Sequence, residues 1–586
     1  MTLALFLRIW GLDAGLTGKT TLGDEEQVVV RALRFGWGDL NPHWFLYPSL
    51  FMYIVFIFFG GFFAAGWAFG FFDSAKEFGL SFFAHPEMFY LIARTLSALF
   101  GTGTIFLTYD ITRRMTQNNL IALTSALFLA VSLFHIRESQ SAKPDSAMIF
   151  FMMFSFYYTV KFWEDRRLRN AILAGATAGI SISIKYPAGL ILFPLLYVVF
   201  QHTIWSWSKR LMVSGLCVSI AVIAFIAGTP FAVLDFSTFV KWMWWVKAHA
   251  DLVWRGAEYH AHGTFSIYLF HLWPESNGYV LALLALAGIV VFFIKRNSEV
   301  LILGLFPLTY LLFMGHSTHV IGNFFTPLTP FLALYAAVGV DTICSYTGQW
   351  RKPVAILCTT IAIVQPLFSV AKWQYYRSAP NTMSVAETWI KENIPDGARL
   401  LAVNATPDIN FSRELLIETL NQPLHDSTVS KATGSSYTGK GMYYEYMLNN
   451  IRSPSYYVRR IPSTVLRKTE DFESVLNQLK LNRYPGFQYI IIASLTPTGT
   501  DSVSRVSPVV IVGSMMTRRD DIINAYHSFL SEIVRSSERL FFVTNFNSPP
   551  MSSDPLFFRL FFHRWGRPGN PVEIFQMPLS MAENFR

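Results

Sequence analysis

Charged residues are scarce in this chain of 586 residues: only 15% are Asp, Glu, Lys or Arg, whereas 52% are hydrophobic and 16% aromatic. Soluble globular proteins carry about 25% charged residues. The composition therefore excludes a purely soluble protein. It is typical of a polytopic membrane protein with enough chain left over for one water-facing domain.

Cysteine is rare, and dense basic tracts are missing. Cys217, Cys344 and Cys358 all lie in apolar segments, and they form neither a disulfide framework nor a zinc-binding spacing. The net charge of +9 is spread over short loops, which argues against a nucleic-acid partner. The start of the chain also lacks the basic region and the cleavage site of a signal peptide. Residues 3–10 are too few for a span, which needs roughly 20 residues, so we expect the natural chain to begin upstream of Met1.

Long apolar runs predict a bundle of about 11 to 13 transmembrane helices. The clearest candidates are residues 89–112, 120–134, 146–162, 171–184, 187–200, 212–233, 278–294, 300–314, 324–343 and 354–370. Residues 47–72 form a further aromatic-rich run that could either span the bilayer or lie at its surface. The two runs around Lys185 are short, which predicts a V-shaped pair or one bent element.

Basic residues in alternate loops predict the orientation of the helices. The basic groups are Arg113-Arg114, Arg166-Arg167 with Arg169, Lys209-Arg210, Lys295-Arg296 and Arg351-Lys352. The positive-inside rule places these loops in the cytoplasm. Two loops, residues 11–46 and 235–277, are then external, and so is the tail. We expect a membrane protein with several spans and an extracytoplasmic C-terminal domain.

The chain therefore divides into a transmembrane domain, residues 1–371, and a soluble domain, residues 372–586. Hydrophobic runs shorten in the second domain, and helical and strand patterns alternate, which indicates a small α/β domain. The predicted helices are residues 384–393 and 522–536, and the predicted strands are residues 399–403, 489–494 and 572–575.

The strongest candidate site is the acidic cluster Asp24-Glu25-Glu26, which lies between two apolar segments. Adjacent carboxylates repel each other and are costly to bury, so they need water, a cation or a polar ligand. A general base at the external face is one interpretation. A solvated loop or a helix N-terminus, where acids are favourable, is the other.

Three more charged residues are candidates for the same face. Asp145 could meet Asp24 above the membrane or simply cap the helix that follows it. Lys185 could pair with an anion such as a lipid phosphate or extend to the headgroups. Arg94 has the same two interpretations, and Arg137 is a weaker candidate.

The external loop 235–277 is rich in His and Trp. His260 and His262 could bind a divalent metal together with Glu25 and Glu26, although no ligand spacing demands one and no cofactor is certain. Surface histidines without a ligand are the more ordinary interpretation. Trp254 reads first as part of an interfacial aromatic belt, and it could also contact a sugar or a lipid.

The order of several motifs resembles that of a known family. The motifs are Asp24-Glu25, Pro48-Ser49-Leu50, Ala93-Arg94-Thr95-Leu96, Ala142-Lys143-Pro144-Asp145, Ile184-Lys185-Tyr186, Pro327-Leu328-Thr329-Pro330-Phe331 and Arg567-Pro568-Gly569-Asn570-Pro571. This order resembles the GT-C glycosyltransferases, and within them the bacterial dolichyl-phosphate-mannose-protein mannosyltransferase-like branch that includes the aminoarabinose transferase of lipid A.

The resemblance implies a GT-C fold and the transfer of a hexose or pentose from a polyprenyl-phosphate donor. It implies that Asp24, Glu25 and Asp145 are catalytic and that Lys185 and Arg94 bind the donor phosphate. The acceptor stays open between a glycan, a lipid and a protein. Two departures from the family are Gly322-Asn323, where many relatives carry an arginine, and Pro48-Ser49-Leu50, which has lost one proline. The competing interpretation is a transporter or lipid flippase with an external domain, although the sequence shows no internal repeat.

Overall fold

The computed structural model describes residues 1–16, 24–250, 264–295, 298–317, 320–378, 380, 382–403, 407–421, 437–461, 488–493, 510–512, 515–517, 538–543 and 572–576. The chain forms two compact units. The first comprises Met1–Asp13, Thr21–Gln374 and Pro555–Phe561, and the second comprises Ala14–Thr20, Tyr375–Asp554 and Phe562–Arg586.

The first unit is helical. Its helices are α1 Thr2–Ile9, α2 Glu25–Arg34, α3 Leu50–Ala68, α4 Ala75–Ala84, α5 Pro86–Thr116, α6 Asn119–Ala130, α7 Leu133–Ser139, α8 Asp145–Asp165, α9 Leu168–Ile182, α10 Leu192–Phe200, α11 Trp207–Gly228, α12 Phe231–Leu234, α13 Phe236–Ala250, α14 Thr264–Asn277, α15 Tyr279–Lys295, α16 Ser298–Met314, α17 Thr329–Ser345 and α18 Arg351–Ser378. Short 3₁₀ turns occupy Phe35–Trp37, Tyr186–Ile191, Gly322–Phe324, Thr326–Leu328 and Gly348–Trp350.

The helix boundaries follow local sequence signals. The long helix α5 starts with Pro86, whose missing N–H costs nothing at that position, and ends at Gln117, which adopts a left-handed conformation. Asn118 then begins α6, because its side chain accepts hydrogen bonds from the backbone N–H groups of Leu120 and Ile121, at 2.9 and 3.4 Å.

Among the described residues, five helices are long and apolar enough to cross a membrane, or up to seven if each of two bent pairs is one span. This is fewer than the 11 to 13 predicted. The difference has a physical cause, because several apolar runs are broken or short. Helices α6 and α7 form one pair bent by 63°, and the apolar helices Leu168–Ile182, Tyr186–Phe200 and Leu301–Met314 fall below full span length. Residues 47–72 do contain one of the five, Leu50–Ala68.

The predicted loop 235–277 is largely helical where the structure describes it, because α13 and α14 occupy much of it. The predicted first loop contains helix α2, Glu25–Arg34. The break predicted around Lys185 is also present: α9 ends at Ile182, and a 3₁₀ turn starts at Tyr186.

Arg8 is fully buried at the bend between α6 and α7. Its guanidinium donates to the carbonyl oxygens of Ala130 at 3.3 Å and Leu129 at 3.4 Å, and Nη2 lies 2.9 Å from His135 Nδ1. Helix ends leave carbonyl groups without intrahelical partners. Arg8 therefore satisfies the carbonyls that the bend exposes.

The second unit contains a mixed six-stranded sheet in the order β2-β3-β1-β4-β8-β7. The strands are β1 Arg399–Val403, β2 Asn410–Phe411, β3 Ser455–Ile461, β4 Tyr489–Ala493, β7 Glu538–Val543 and β8 Val572–Gln576, and a separate hairpin pairs β5 Val510–Val512 with β6 Met515–Thr517. Strands β1 to β4 in this sheet run parallel, and β8 is antiparallel to both β4 and β7.

Helices α19 Thr382–Asn393, α20 Arg413–Asn421 and α21 Tyr437–Asn449 complete the described part of this unit. The buried Tyr456 side chain donates to the carbonyl oxygens of Ile390 and Ile394, which fastens the end of α19 to the sheet. The predicted α/β character and the strands at 399–403, 489–494 and 572–575 are confirmed, and so is the helix at 384–393. The helix predicted at 522–536 lies outside the described residues.

Two glycines bring the backbones of α15 and α17 into direct contact. A methyl group on Gly288 would collide with the Tyr335 carbonyl group, and one on Gly339 would collide with that of Leu284. Backbone atoms cannot move aside as a flexible side chain can, so this contact requires the absence of a side chain at both positions.

We expect Gly339→Ala to destabilise the helical unit by about 1–3 kcal/mol, the usual cost of overpacking. The measurement is the melting temperature of purified protein in detergent. Gly60→Ala is the matched control, because no atom lies within 4 Å of the added methyl group. Equal melting temperatures for the two variants would contradict the packing contact.

Candidate active site

Asp24 stands immediately before α2, and its side chain is partly exposed. The Tyr47 hydroxyl donates to Asp24 Oδ2 at 2.6 Å. Burial raises the pKa of Tyr47 well above its usual value, and the negative charges of Asp24 and Asp145 raise it further. The phenol therefore stays protonated and acts as a hydrogen-bond donor to the carboxylate.

Glu25 is fully buried and forms a two-point ion pair with the equally buried Arg94. Arg94 Nε and Nη2 donate to the Glu25 carboxylate at 2.9 and 2.7 Å, and Nη1 donates to the Leu12 carbonyl oxygen at 2.5 Å. The backbone N–H of Ala142 donates to Glu25 Oε1 at 2.6 Å. This pair therefore joins α2, α5 and the loop before α8. Arg94, which the resemblance predicts to bind the donor phosphate, does not lie at an open surface. Its guanidinium is buried and pairs with Glu25.

Asp145 and Lys185 form a second buried ion pair, with Lys185 Nζ 2.5 Å from Asp145 Oδ1. Asp145 opens α8, and Lys185 lies in the break between α9 and the following 3₁₀ turn. The ammonium group lies 5.4 Å from the centres of both the Tyr47 and Phe324 rings. Within the described part of the chain, buried Asp145 Oδ2 has no hydrogen-bond partner.

Tyr47 is thus the residue that links Asp24 to the pair of Asp145 and Lys185. The Pro48-Ser49 turn fixes its position. Ser49 Oγ donates to the Gly228 carbonyl oxygen at 3.2 Å, and Leu50 N donates to that of Ser183 at 3.1 Å. The turn, with its single remaining proline, therefore packs against the C-terminal ends of α9 and α11.

Glu138 completes the cluster, and our sequence reasoning missed it. Its buried carboxylate contacts Lys143 Nζ at 2.8 Å and Arg137 Nε at 3.1 Å. Burial acts to lower the pKa of Lys143, but the nearby carboxylates of Glu138 and Asp145 outweigh it, and the pKa is raised. The only signal in the sequence was the high density of polar residues between His135 and Asp145.

The remaining predicted residues, His260, His262 and Trp254, lie outside the described residues. Glu26 is exposed in the first turn of α2. In the part of the chain that was searched, no group of three or more His, Cys, Asp or Glu side chains could hold a metal ion.

Comparison with known proteins gives a partial family match and a matching fold. Residues 58–253 match the family model described as dolichyl-phosphate-mannose-protein mannosyltransferase. An uncharacterized protein of Aquifex aeolicus is 31% identical over 99 residues, which cover 17% of this chain and 20% of that protein. The chain therefore matches only about a fifth of the length of this relative.

The oligosaccharyltransferase of Archaeoglobus fulgidus in its apo form superposes with a TM-score of 0.51 at 11% identity, covering 98% of this chain and 87% of that one. The chain has a GT-C fold. The resemblance of this GT-C chain to the mannosyltransferase-like branch is confirmed by the family match. ArnT from Cupriavidus metallidurans superposes at 11% identity over 99% of this chain and 97% of that one, with a TM-score of 0.49 that is too low to add to the argument.

We expect Arg94→Met to lower the stability of this GT-C chain by roughly 3–5 kcal/mol, because it leaves the Glu25 carboxylate buried without its counterion. The double variant Glu25→Gln/Arg94→Met removes both charges and should recover part of the loss. Melting temperatures in detergent test both statements. A single variant as stable as the unchanged protein would show that the pair is not needed for folding.

Proposed function

We propose that the protein is an inverting glycosyltransferase that moves a sugar from a polyprenyl-phosphate-linked donor to an acceptor at the external face of the membrane. The observation that carries the proposal is the arrangement of Asp24, Tyr47, Lys185 and Asp145 as one connected polar cluster in an apolar helical unit. The family match over residues 58–253 supports the same class of reaction.

The proposed reaction is a direct displacement at the anomeric carbon. The acceptor hydroxyl or amine attacks that carbon and gives its proton to Asp24, while the bond from the carbon to the phosphate oxygen breaks. The electron pair stays on the polyprenyl phosphate. Because that leaving group is already a weak base, it needs nearby positive charge more than it needs a proton.

The roles of the other charged residues follow from their burial. Within the cluster of Asp24, Tyr47, Lys185 and Asp145, Asp24 is the partly exposed carboxylate, so it is the member that can reach an acceptor. Asp145 and Lys185 form the floor of the site, where Asp145 Oδ2 can accept a hydrogen bond from a substrate hydroxyl. Lys185 contributes positive charge and is the counterion of Asp145. Glu25 and Arg94 position α2, and therefore Asp24, rather than touch substrate.

A lipid-linked donor explains why the site belongs to a membrane protein. Each buried methylene group contributes about 0.8 kcal/mol, so a polyprenyl chain stays in the bilayer. We infer from the resemblance to the bacterial branch that the protein lies in a bacterial inner (plasma) membrane, and from the basic loops that its C-terminal unit is extracytoplasmic. The acceptor is a glycan, a lipid or a protein.

The competing function is a transporter or lipid flippase. Purified protein in proteoliposomes, supplied with radiolabelled polyprenyl-phosphate sugars and candidate acceptors, separates the two. Label transferred to an acceptor supports the proposal, whereas movement of the donor across the bilayer without transfer supports the transporter.

Asp24→Asn should abolish transfer while the melting temperature stays unchanged, because the amide cannot take the proton of the acceptor. Asp13→Asn, which alters an exposed acid in the same unit, is the control and should keep full activity. Full activity in Asp24→Asn would overturn the assignment of the base.

Tyr47→Phe should lower the transfer rate by about 10- to 100-fold, the value of a hydrogen bond to a charged group. Since the pKa of Tyr47 is raised, the phenol stays protonated up to at least about pH 10. The ratio of rates between the unchanged protein and the variant should therefore stay constant from pH 6 to about pH 10. A ratio that shrinks with rising pH would show that Tyr47 ionises in that range.

A further inference from the structure

The ion pairs of the candidate site are not balanced one to one. Arg94 faces Glu25, and Lys185 faces Asp145, so each of these pairs is neutral. Glu138 instead receives two cations, Arg137 and Lys143. Among the described residues, Glu138 is thus the carboxylate of the site that two cations share, while with Asp24 included the site has as many carboxylates as cations.

Arg137 is partly exposed and has N–H donors that the cluster does not use. Its Nε donates to Glu138 Oε1 at 3.1 Å, and its guanidinium carbon lies 4.5 Å from the centre of the Phe134 ring. The side chain is 27% exposed. Neither Nη1 nor Nη2 makes a hydrogen bond to any residue that the structure describes. One edge of the guanidinium is therefore fixed, and two amino groups are available to a ligand.

Gly322 makes room for this guanidinium. A methyl group at Gly322 would lie 2.6 Å from Arg137 Nη2 and 3.0 Å from the nearest atom of the Phe134 ring. The φ angle of Gly322 is not in the left-handed region, so the backbone does not itself require glycine there. The same 3₁₀ turn carries Phe324, whose ring faces Lys185. The turn thus places Arg137 on the Lys185 side of the cluster.

We propose that Arg137, supported by Lys143, binds the phosphate of the lipid-linked donor, and that Lys185 serves mainly as the counterion of Asp145. This inference rests on the proposed function and names the residues that bind the donor in it. A phosphodiester carries one negative charge, and Arg137 can pair with it while Lys143 stays beside Glu138. When the sugar leaves, the new charge on the phosphate develops beside the free amino groups, which suit the geometry of phosphate oxygens.

The test measures binding of undecaprenyl phosphate to the full chain in phosphatidylcholine nanodiscs, with undecaprenol as the probe that lacks the phosphate. Arg137→Met should raise the Kd for undecaprenyl phosphate by about 10- to 100-fold, the worth of hydrogen bonds between charged groups. Binding of undecaprenol should not change.

Arg114→Met is the matched control, because Arg114 is also 26% exposed and paired with carboxylates, but at Asp110 and Glu164. The Kd of this variant for undecaprenyl phosphate should equal that of the unchanged protein.

Gly322→Ala keeps Arg137 and only displaces its side chain, so it should raise the Kd for undecaprenyl phosphate by roughly 3- to 10-fold. It keeps the test decisive if Arg137→Met fails to fold.

A wild-type Kd in both Arg137→Met and Gly322→Ala would overturn the inference. Phosphatidylglycerol added to the nanodiscs distinguishes the two sources of phosphate. If it displaces undecaprenyl phosphate from wild-type protein and not from Arg137→Met, the site takes a phospholipid headgroup and the donor assignment is wrong.

Transfer assays separate a failure of this inference from a failure of the proposed function. If the variant transfers sugar with an unchanged KM for the donor, only this inference fails. If Arg137-dependent binding occurs without any transfer by the wild-type protein, only the proposed function fails.

Discussion

Buried charge in an apolar helical unit must be neutralised close by, and this requirement organises the first unit of the protein. Arg94 and Glu25 are 69 positions apart in the sequence, and Lys185 and Asp145 are 40 positions apart. An unpaired charge in such surroundings would cost several kcal/mol. The elements that carry these residues are therefore held together by ion pairs at one end of the bundle, and the candidate site lies at the place where those pairs meet.

The same requirement separates acids that hold the fold from an acid that can react. Glu25 and Asp145 are buried against cations, whereas Asp24 is partly exposed and held by the hydroxyl of Tyr47. Adjacent residues in the sequence, Asp24 and Glu25, thus have opposite environments, because Glu25 starts α2 and faces the buried Arg94, whereas Asp24 precedes the helix and stays partly exposed.

Much of the fold could be predicted because hydrophobic runs and caps are local signals. The helix at Thr382–Asn393, the break at Lys185 and three strands of the sheet all follow from short stretches of sequence. The span count could not be predicted in the same way. The bend between α6 and α7 occurs inside an apolar run, and the Arg8 guanidinium that binds carbonyl groups there comes from more than a hundred residues away.

The site was predictable as a set of charges but not as a set of pairs. Arg94 and Lys185 have the same appearance in the sequence, a cation among apolar residues, and only the fold shows that one faces Glu25 and the other Asp145. Glu138 gave no individual signal, because its importance depends on two cations that pack against it. The pairing of charges is a property of tertiary structure, which motif order does not encode.

The bend at Arg8 has one more consequence. Arg8 joins the first helix to the carbonyl groups at the end of α6 and to His135 in α7, and α7 also carries Arg137 and Glu138. Any tilt of α7 must therefore change the contacts that Arg8 makes. The N-terminal helix restrains the position of α7 and hence of Arg137, even though it contributes no side chain to the site.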